Sequence, residues 1–239
     1  MITTFQAFRL ALPLKTPVVL TDFAPTLDAL VYEALSQRSP AASREELLQE
    51  MRTYLQFNEQ YGVFHASAMR FGLTLQRGLT AATYVRTDRH TPEKLSSEMF
   101  APNGARGKYT RLQLAGGPTK NRLREMPAYS APYAVFDGFG NPYAIKSLLE
   151  FFVLGIGYDA QNCQMGAFDD VHIAPDLEED SSLLLSDTAN RPLPASSGVK
   201  GVPGLSPLLP PYYLPEKQSV VTPQRVRSEL ISNLINNLI

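Results

Sequence analysis

Residues 141–173 read NPYAIKSLLEFFVLGIGYDAQNCQMGAFDDVHI, and their order decides the fold: a proline-started helix, a glycine-containing loop, a short strand. Asn141 suits an N-cap, Pro142 sits where its missing N–H does no harm, and Gly155 is the expected stop of a helix over 141–154. The segment 167–173 then predicts a strand. Between them, Gly155, Gly157 and Gly166 carry no side chain and tolerate positive φ, so a phosphodiester chain could approach their amides closely. A plain helix-to-strand connection is the competing reading of the same glycines.

Working outward, FQAFRLALPL (5–14) predicts a mostly buried first strand that Pro13 ends or places on an edge. Leu27, Leu30, Val31, Ala34 and Leu35 recur at spacings of three and four, which predicts an amphipathic helix over 26–36 with Thr26 as N-cap. Ser43 followed by Glu46 reads as a capping box opening a second helix. From Tyr61 to Phe136 the texture is short strands, GVFHASAM, LTAATYVR, KYTRLQLA and PAYSAPYAVF. Stripped of insertions, the order is β-α-β-β-α-β. That is the α+β, ferredoxin-like plan, an antiparallel sheet packed on one face by two helices, shared with the RNA-recognition motif. Fold alone does not establish function.

The expected organisation is one domain over 1–190, interrupted by a basic insertion at 86–124, then a Pro-rich wrap over 191–239 ending in a helix. Between Pro192 and Pro223, eight of 32 residues are proline and three are glycine, which disfavours regular structure. Leu205, Leu208, Leu209, Tyr212, Tyr213 and Leu214 supply enough apolar surface for that wrap to be ordered. After Thr222-Pro223, Val226, Leu230, Leu234 and Leu238 fall on every fourth residue and predict an amphipathic helix.

Across 239 residues the formal net charge is only −1, so the overall field does not select a polyanionic partner. The distribution does more. From Arg86 to Arg124 there are nine Lys or Arg (Arg86, Arg89, Lys94, Arg106, Lys108, Arg111, Lys120, Arg122, Arg124) against three acids, while 169–187 carries seven acids and no Lys or Arg. The single cysteine, Cys163, excludes an intrachain disulfide and any multi-cysteine zinc site. The N-terminal run lacks the basic start and long apolar centre of a secretory signal, and no apolar run reaches the roughly 18 residues of a membrane span. The expectation is a soluble, cytoplasmic protein without a cofactor.

Three blocks carry a family resemblance. FRLALPLKTPVVLTDFAPTLDALVYEAL (8–35) resembles the start of CRISPR-associated proteins of the RAMP superfamily. GIGYDAQNCQMGAF (155–168) resembles their Ile-Gly loop after the second helix, and Arg191 to Pro194 their Arg-Pro-Leu-Pro segment. Together these blocks, about a fifth of the chain, are most similar to the Cas-five-like subunit of type IV effector complexes. The resemblance implies a non-catalytic subunit that holds the 5′ handle of the CRISPR RNA and caps the backbone filament. Its implied partners are that RNA, the backbone (Cas-seven-like) and large subunits, and target DNA beside the protospacer. Basic residues often follow Ile-Gly in the family, whereas Tyr158, Asp159, Ala160 and Gln161 stand here, so phosphate contact at this loop would rest on backbone N–H groups.

The candidate RNA-binding residues are therefore Arg86, Arg89, His90, Lys94, Arg106, Lys108, Tyr109, Arg111, Lys120, Arg122 and Arg124 in the insertion, with Gly155, Gly157 and Gly166 in the loop. Cations spaced by glycines with a ring nearby suit a hairpin that tracks a phosphate backbone and stacks a base. A solvated, uncommitted surface is the plain reading of the same charges. No catalytic or metal-binding set is expected. Two alternatives stay open: a metal-independent CRISPR RNA endonuclease using His90 or His65 as base, and an interaction protein that binds no nucleic acid.

Overall fold

The computed structural model describes residues 5–88 and 121–231. These fall into two units, one lying within Met1–Ala82 and Ala128–Ile239, the other within Thr83–Pro127. The first strand, β1 (Gln6–Pro13), is followed by β2 (Val18–Val19), α1 (Leu27–Arg38) and α2 (Arg44–Met51), then by β3 (Phe57–Asn58), β4 (Val63–Phe64) and β5 (Arg70–Leu73). The long strands β6 (Thr80–Asp88) and β7 (Arg122–Ser130) come next, with β8 (Tyr133–Gly140), α3 (Pro142–Phe152), the one-turn α4 (Ala160–Cys163) and β9 (His172–Ala174). Six short strands complete the described residues: β10 (Leu184–Leu185), β11 (Thr188–Ala189), β12 (Leu193–Pro194), β13 (Val202–Ser206), β14 (Gln218–Thr222) and β15 (Ser228–Leu230). The architecture is mixed α+β. No helix among the described residues is long and apolar enough to cross a membrane.

The central sheet has the order β15-β5-β8-β1-β9. β1 runs antiparallel to β8 from Gln6↔Gly140 to Pro13↔Tyr133, β9 and β5 add antiparallel on either side, and β15 joins β5 in parallel. Side chains alternate across a strand, so Phe8, Leu10 and Leu12 of β1, with Phe136 of β8, enter one core with Leu27, Val31 and Leu35 of α1 and Ile145 and Leu149 of α3. The same alternation turns Arg9 and Asp137 to the opposite face, where they pair in register. Gly138 is required inside β8 because a Cβ there would strike the Phe8 ring.

The helices start largely as their sequences dictate. Ser43 accepts from the Glu46 amide while the Glu46 carboxylate accepts from the Ser43 amide, the expected capping box. Asn141 accepts from the Ala144 amide and Pro142 follows it. α3 stops at Phe152, before Gly155, because Val153 already has extended dihedrals. Thr26 occupies the N-cap of α1 without a side-chain bond to the helix. The expected strand over 167–173 is shorter, with Phe168 contributing a single bridge to Leu14 and β9 starting at His172.

The C-terminal third departs further from expectation. The Pro-rich region is ordered, and it contains a three-stranded antiparallel sheet, β12-β14-β13, over a small core of Val63, Leu183, Ala189, Leu193, Leu208 and Val220. The helix expected after Thr222 is absent from residues 222–231, and its remainder, 232–239, lies outside the described residues. Here the free edge of β5 outweighs the four-residue leucine repeat: the Phe71 amide donates to Arg227 O and the Ile231 amide to Leu73 O, while Ile231 packs against Gly72.

A buried ion pair fastens this region to α1. Arg191 and Asp28 are both fully buried, and Arg191 Nη2 donates to Asp28 Oδ2 at 3.0 Å. Arg191 also donates to the carbonyls of Phe64, Ala66 and Leu208 and to the Tyr212 hydroxyl, which in turn donates to Asp28 Oδ2 at 2.8 Å. Burial opposes the Arg191 charge, and Asp28 with Tyr212 outweighs it, so the net shift is upward. Burial pushes the Tyr212 phenol up as well, keeping its proton on oxygen to donate.

A second knot holds His65. Its Nδ1–H donates to Asp180 Oδ2 at 2.6 Å and its Nε2 accepts from Asn58 Nδ2 at 3.3 Å. Burial raises the Asp180 carboxyl, but hydrogen bonds from His65 and Ser182 outweigh it and hold the carboxyl below its ordinary range.

Two measurements check these knots. Arg191→Met should cost about 3–5 kcal/mol in urea unfolding, because it strands the Asp28 charge in the interior. Adding Asp28→Asn should recover only part, since the three carbonyls stay without their donor; full recovery would mean those bonds contribute nothing. For Asp180, the depressed carboxyl stabilises the fold above its unfolded pKa and loses that contribution as pH falls through the folded one. Wild type should exceed Asp180→Asn in stability above about pH 5 and converge with it in acid; a pH-independent difference contradicts the assignment.

Candidate nucleic-acid interface

β6 and β7 are neighbours in one sheet, and most of their residues are exposed on both faces. Extended chains rich in Thr, Val, Tyr and Arg favour strand geometry here without a core to fill. Asp88 organises the ribbon's charges: Arg86 Nε donates to its Oδ1 at 2.9 Å, and Arg124 Nε lies 3.2 Å from its Oδ2. Because Arg124 meets Asp88 across the strands, the period of two places Arg86, Asp88, Arg122 and Arg124 on one face. Three cations thus share that face with one carboxylate. Tyr84 falls on the same face by the same period. The opposite face presents Val85 and Leu123, which are 53% and 66% exposed.

Of the insertion residues expected to touch RNA, Arg86, Arg122 and Arg124 are brought together in this way. Arg89, His90, Lys94, Arg106, Lys108, Tyr109, Arg111 and Lys120 lie outside the described residues. Within the ribbon the cations are not uncommitted point charges, since Asp88 fixes two of them in orientation.

The glycine loop is built differently from the expected phosphate cradle. Its amides are bonded to the chain's own carbonyls: Ile156 N to Gly166 O at 3.0 Å, Tyr158 N to Val19 O at 2.9 Å and Gly166 N to Pro17 O at 2.8 Å. The glycines are needed for those approaches. Gly157 has φ +92° and a Cβ there would lie 2.5 Å from Val19 O; Gly166 has φ +63° and a Cβ there would overlap Ile156 O. Gly155 abuts Met165 O in the same manner. The loop therefore clamps residues 17–19 next to the sheet. At Gly166 the amide that was to meet phosphate already donates to Pro17 O within the fold.

Of the two histidines considered as bases, His90 lies outside the described residues and His65 is held by hydrogen bonds, while the strand position of His172 is held by β9 pairing. Both His65 nitrogens are bonded, and His172 lies in β9 with its ring 6.4 Å from that of Tyr133. Among the described residues no group of three or more His, Cys, Asp or Glu is placed to hold a metal ion.

Sequence reasoning passed over a second cationic cluster, on the sheet face opposite the helices. Arg9 Nε donates to Asp137 Oδ1 at 2.6 Å, and Arg70 Nη2 donates to Asp137 Oδ2 at 2.6 Å. The available signal was an unbroken apolar strand pattern interrupted by one charge: Arg9 within FRLAL, Arg70 within AMRFG and Asp137 within AVFDG. A charge at such a position must find a partner when the strand is buried.

Gly166→Ala separates a folding role from a binding role for the loop. Strained φ and backbone overlap together should cost about 2–4 kcal/mol in chemical denaturation; unchanged stability would leave the loop without its structural assignment. Compared with known proteins, the chain matches no protein-family model and has no match among curated proteins.

Proposed function

We propose that the chain is a RAMP-type RNA-binding subunit with a ferredoxin-like core, holding the 5′ handle of a CRISPR RNA in a type IV ribonucleoprotein and capping its backbone filament. The observation that carries this reading is the sheet order β9-β1-β8-β5, antiparallel throughout, with α1 and α3 in the core on one face. A strand that returns between its predecessors in this way is what a β-α-β-β-α-β chain produces when both crossovers lie on one side. The exposed ribbon with Arg86, Arg122 and Arg124 on one face supports RNA as ligand, through phosphate attraction that needs no base contact. Binding rather than cleavage is supported by the engagement of both His65 nitrogens. Base pairing by the guide would then read the target, with the protein supplying backbone contacts and meeting the backbone and large subunits at its other surfaces.

The test is a salt series on the purified chain with a fluorescently labelled repeat-derived 5′ handle. Arg122→Ala with Arg124→Ala should weaken binding about tenfold and lower the slope of log affinity against log salt by about 1.4, at roughly 0.7 for each single-strand phosphate left without its cation. Parental affinity and slope in the double variant would remove the ribbon from the interface. Metal-independent cutting of the repeat would overturn the non-catalytic reading.

A further inference from the structure

Three guanidinium groups and two carboxylates meet on the sheet face opposite the helices. Asp137 is tightly held, 2.6 Å from both Arg9 and Arg70, and only 1% exposed. Glu229 is held loosely. It stands on the three-residue edge strand β15, is 25% exposed, and lies 3.3 Å from Arg70 Nη2 and 3.8 Å from Arg9 Nη1. The third cation, Arg227, is in salt-bridge contact with no carboxylate among the described residues, although Glu229 and Asp137 lie near enough to act on its charge. Its Nη1 donates at 2.7 Å to Asn190 Oδ1, an amide oxygen that Arg70 Nη1 also approaches at 3.2 Å. Arg227 Nη2 donates further to Ala68 O at 3.3 Å, so two like charges share the Asn190 oxygen, and among the described residues the Nε atoms of Arg70 and Arg227 are buried without a hydrogen-bond partner. Arg70 itself is 2% exposed.

Guanidinium forks that exceed the carboxylates facing them are the usual means of recognising phosphate oxygens. We propose that Arg9, Arg70 and Arg227 form a phosphate-binding site on the sheet, occupied in cis by the Glu229 carboxylate, which an incoming phosphate displaces. Asp137 is the fixed counter-charge that orients Arg9 and Arg70. Glu229 is the exchangeable one, because its contacts are longer and its strand is short and solvent-facing. The surroundings agree: burial, followed by the nearby Arg70 charge, pushes the Arg227 guanidinium down to about 10, as expected where positive charge is under-compensated. The site does not depend on the ribbon, so it stands or falls separately from the proposed RNA handle contact.

The test is isothermal titration of the full chain with inorganic phosphate, against chloride at matched ionic strength. A resident carboxylate that fills the site nine-tenths of the time lowers apparent affinity about tenfold. Glu229→Gln should therefore bind phosphate about tenfold tighter than wild type, and adding Arg9→Gln should abolish that gain. Equal affinity in wild type and Glu229→Gln, or a gain that survives Arg9→Gln, overturns the proposal. If Glu229→Gln does not fold, Glu229→Asp replaces it: its carboxylate keeps the charge but reaches less far, and should give about a threefold gain, with no gain again overturning the proposal. Matched ribo-oligonucleotides with 5′-phosphate and 5′-hydroxyl ends then identify the source. A gain confined to the phosphorylated end assigns a terminal phosphate, and an equal gain on both assigns an internal phosphodiester. Arg122→Ala with Arg124→Ala should leave the inorganic phosphate titration unchanged, so failure of the ribbon reading is distinguishable from failure here.

Discussion

Arg191 lies where the chain could easily have come apart, between a sheet-and-helix core and a proline-rich tail that has few regular hydrogen bonds of its own. A guanidinium removed from water must be surrounded by acceptors, and this one is: one carboxylate from α1, carbonyls from residues 64, 66 and 208, and the Tyr212 hydroxyl. These acceptors come from several separate stretches of chain, so satisfying one buried charge fixes the positions of those segments together. Buried ion pairs are weak sources of net stability, but they penalise every arrangement that leaves one partner alone. The pair thereby selects one path for the tail, and the small β12-β14-β13 sheet forms along that path.

The same logic distinguishes the two faces of the central sheet. Toward α1 and α3 the strands present Phe8, Leu10, Leu12 and Phe136, and packing alone specifies the register. On the other face, Arg9, Arg70 and Asp137 do so by charge, which tolerates far less error in position than apolar contact. A one-residue slip of β1 against β8 would put Arg9 into the helical core and Phe8 among the carboxylates. Electrostatics and packing therefore penalise the same mistake.

What was legible in the sequence follows from the range of the forces involved. The capping box at Ser43 and Glu46, the Asn141-Pro142 start and the inward stripe of α1 are set by neighbours within a turn or two, and they read correctly. The strand at Ser228–Leu230 did not, because what decides it is the unpaired edge of β5 far away in sequence, and a leucine every fourth residue suits either outcome. The glycine loop was legible in position but not in packing: Gly157 and Gly166 respond to carbonyls of residues 19 and 156, which no local pattern announces. Arg9, Arg70 and Asp137 were visible only as interruptions of apolar runs, and their mutual partnership depends on strand order. The ribbon was legible as a basic stretch, whereas the shared face of Arg86, Arg122 and Arg124 depends on the pairing of β6 with β7.

The parallel pairing of β15 with β5 also sets the order of events during synthesis. Arg70 and Glu229, which meet across these strands, are 159 positions apart, so a chain emerging from the ribosome completes β1, β5 and β8 long before the strand that covers β5 exists. Over that interval the β5 edge offers unpaired N–H and C=O groups to any extended chain nearby, and closing so long a loop is slow. The nascent chain is thus open to strand capture at β5, by a chaperone or by another copy, until residues 228–230 have been made.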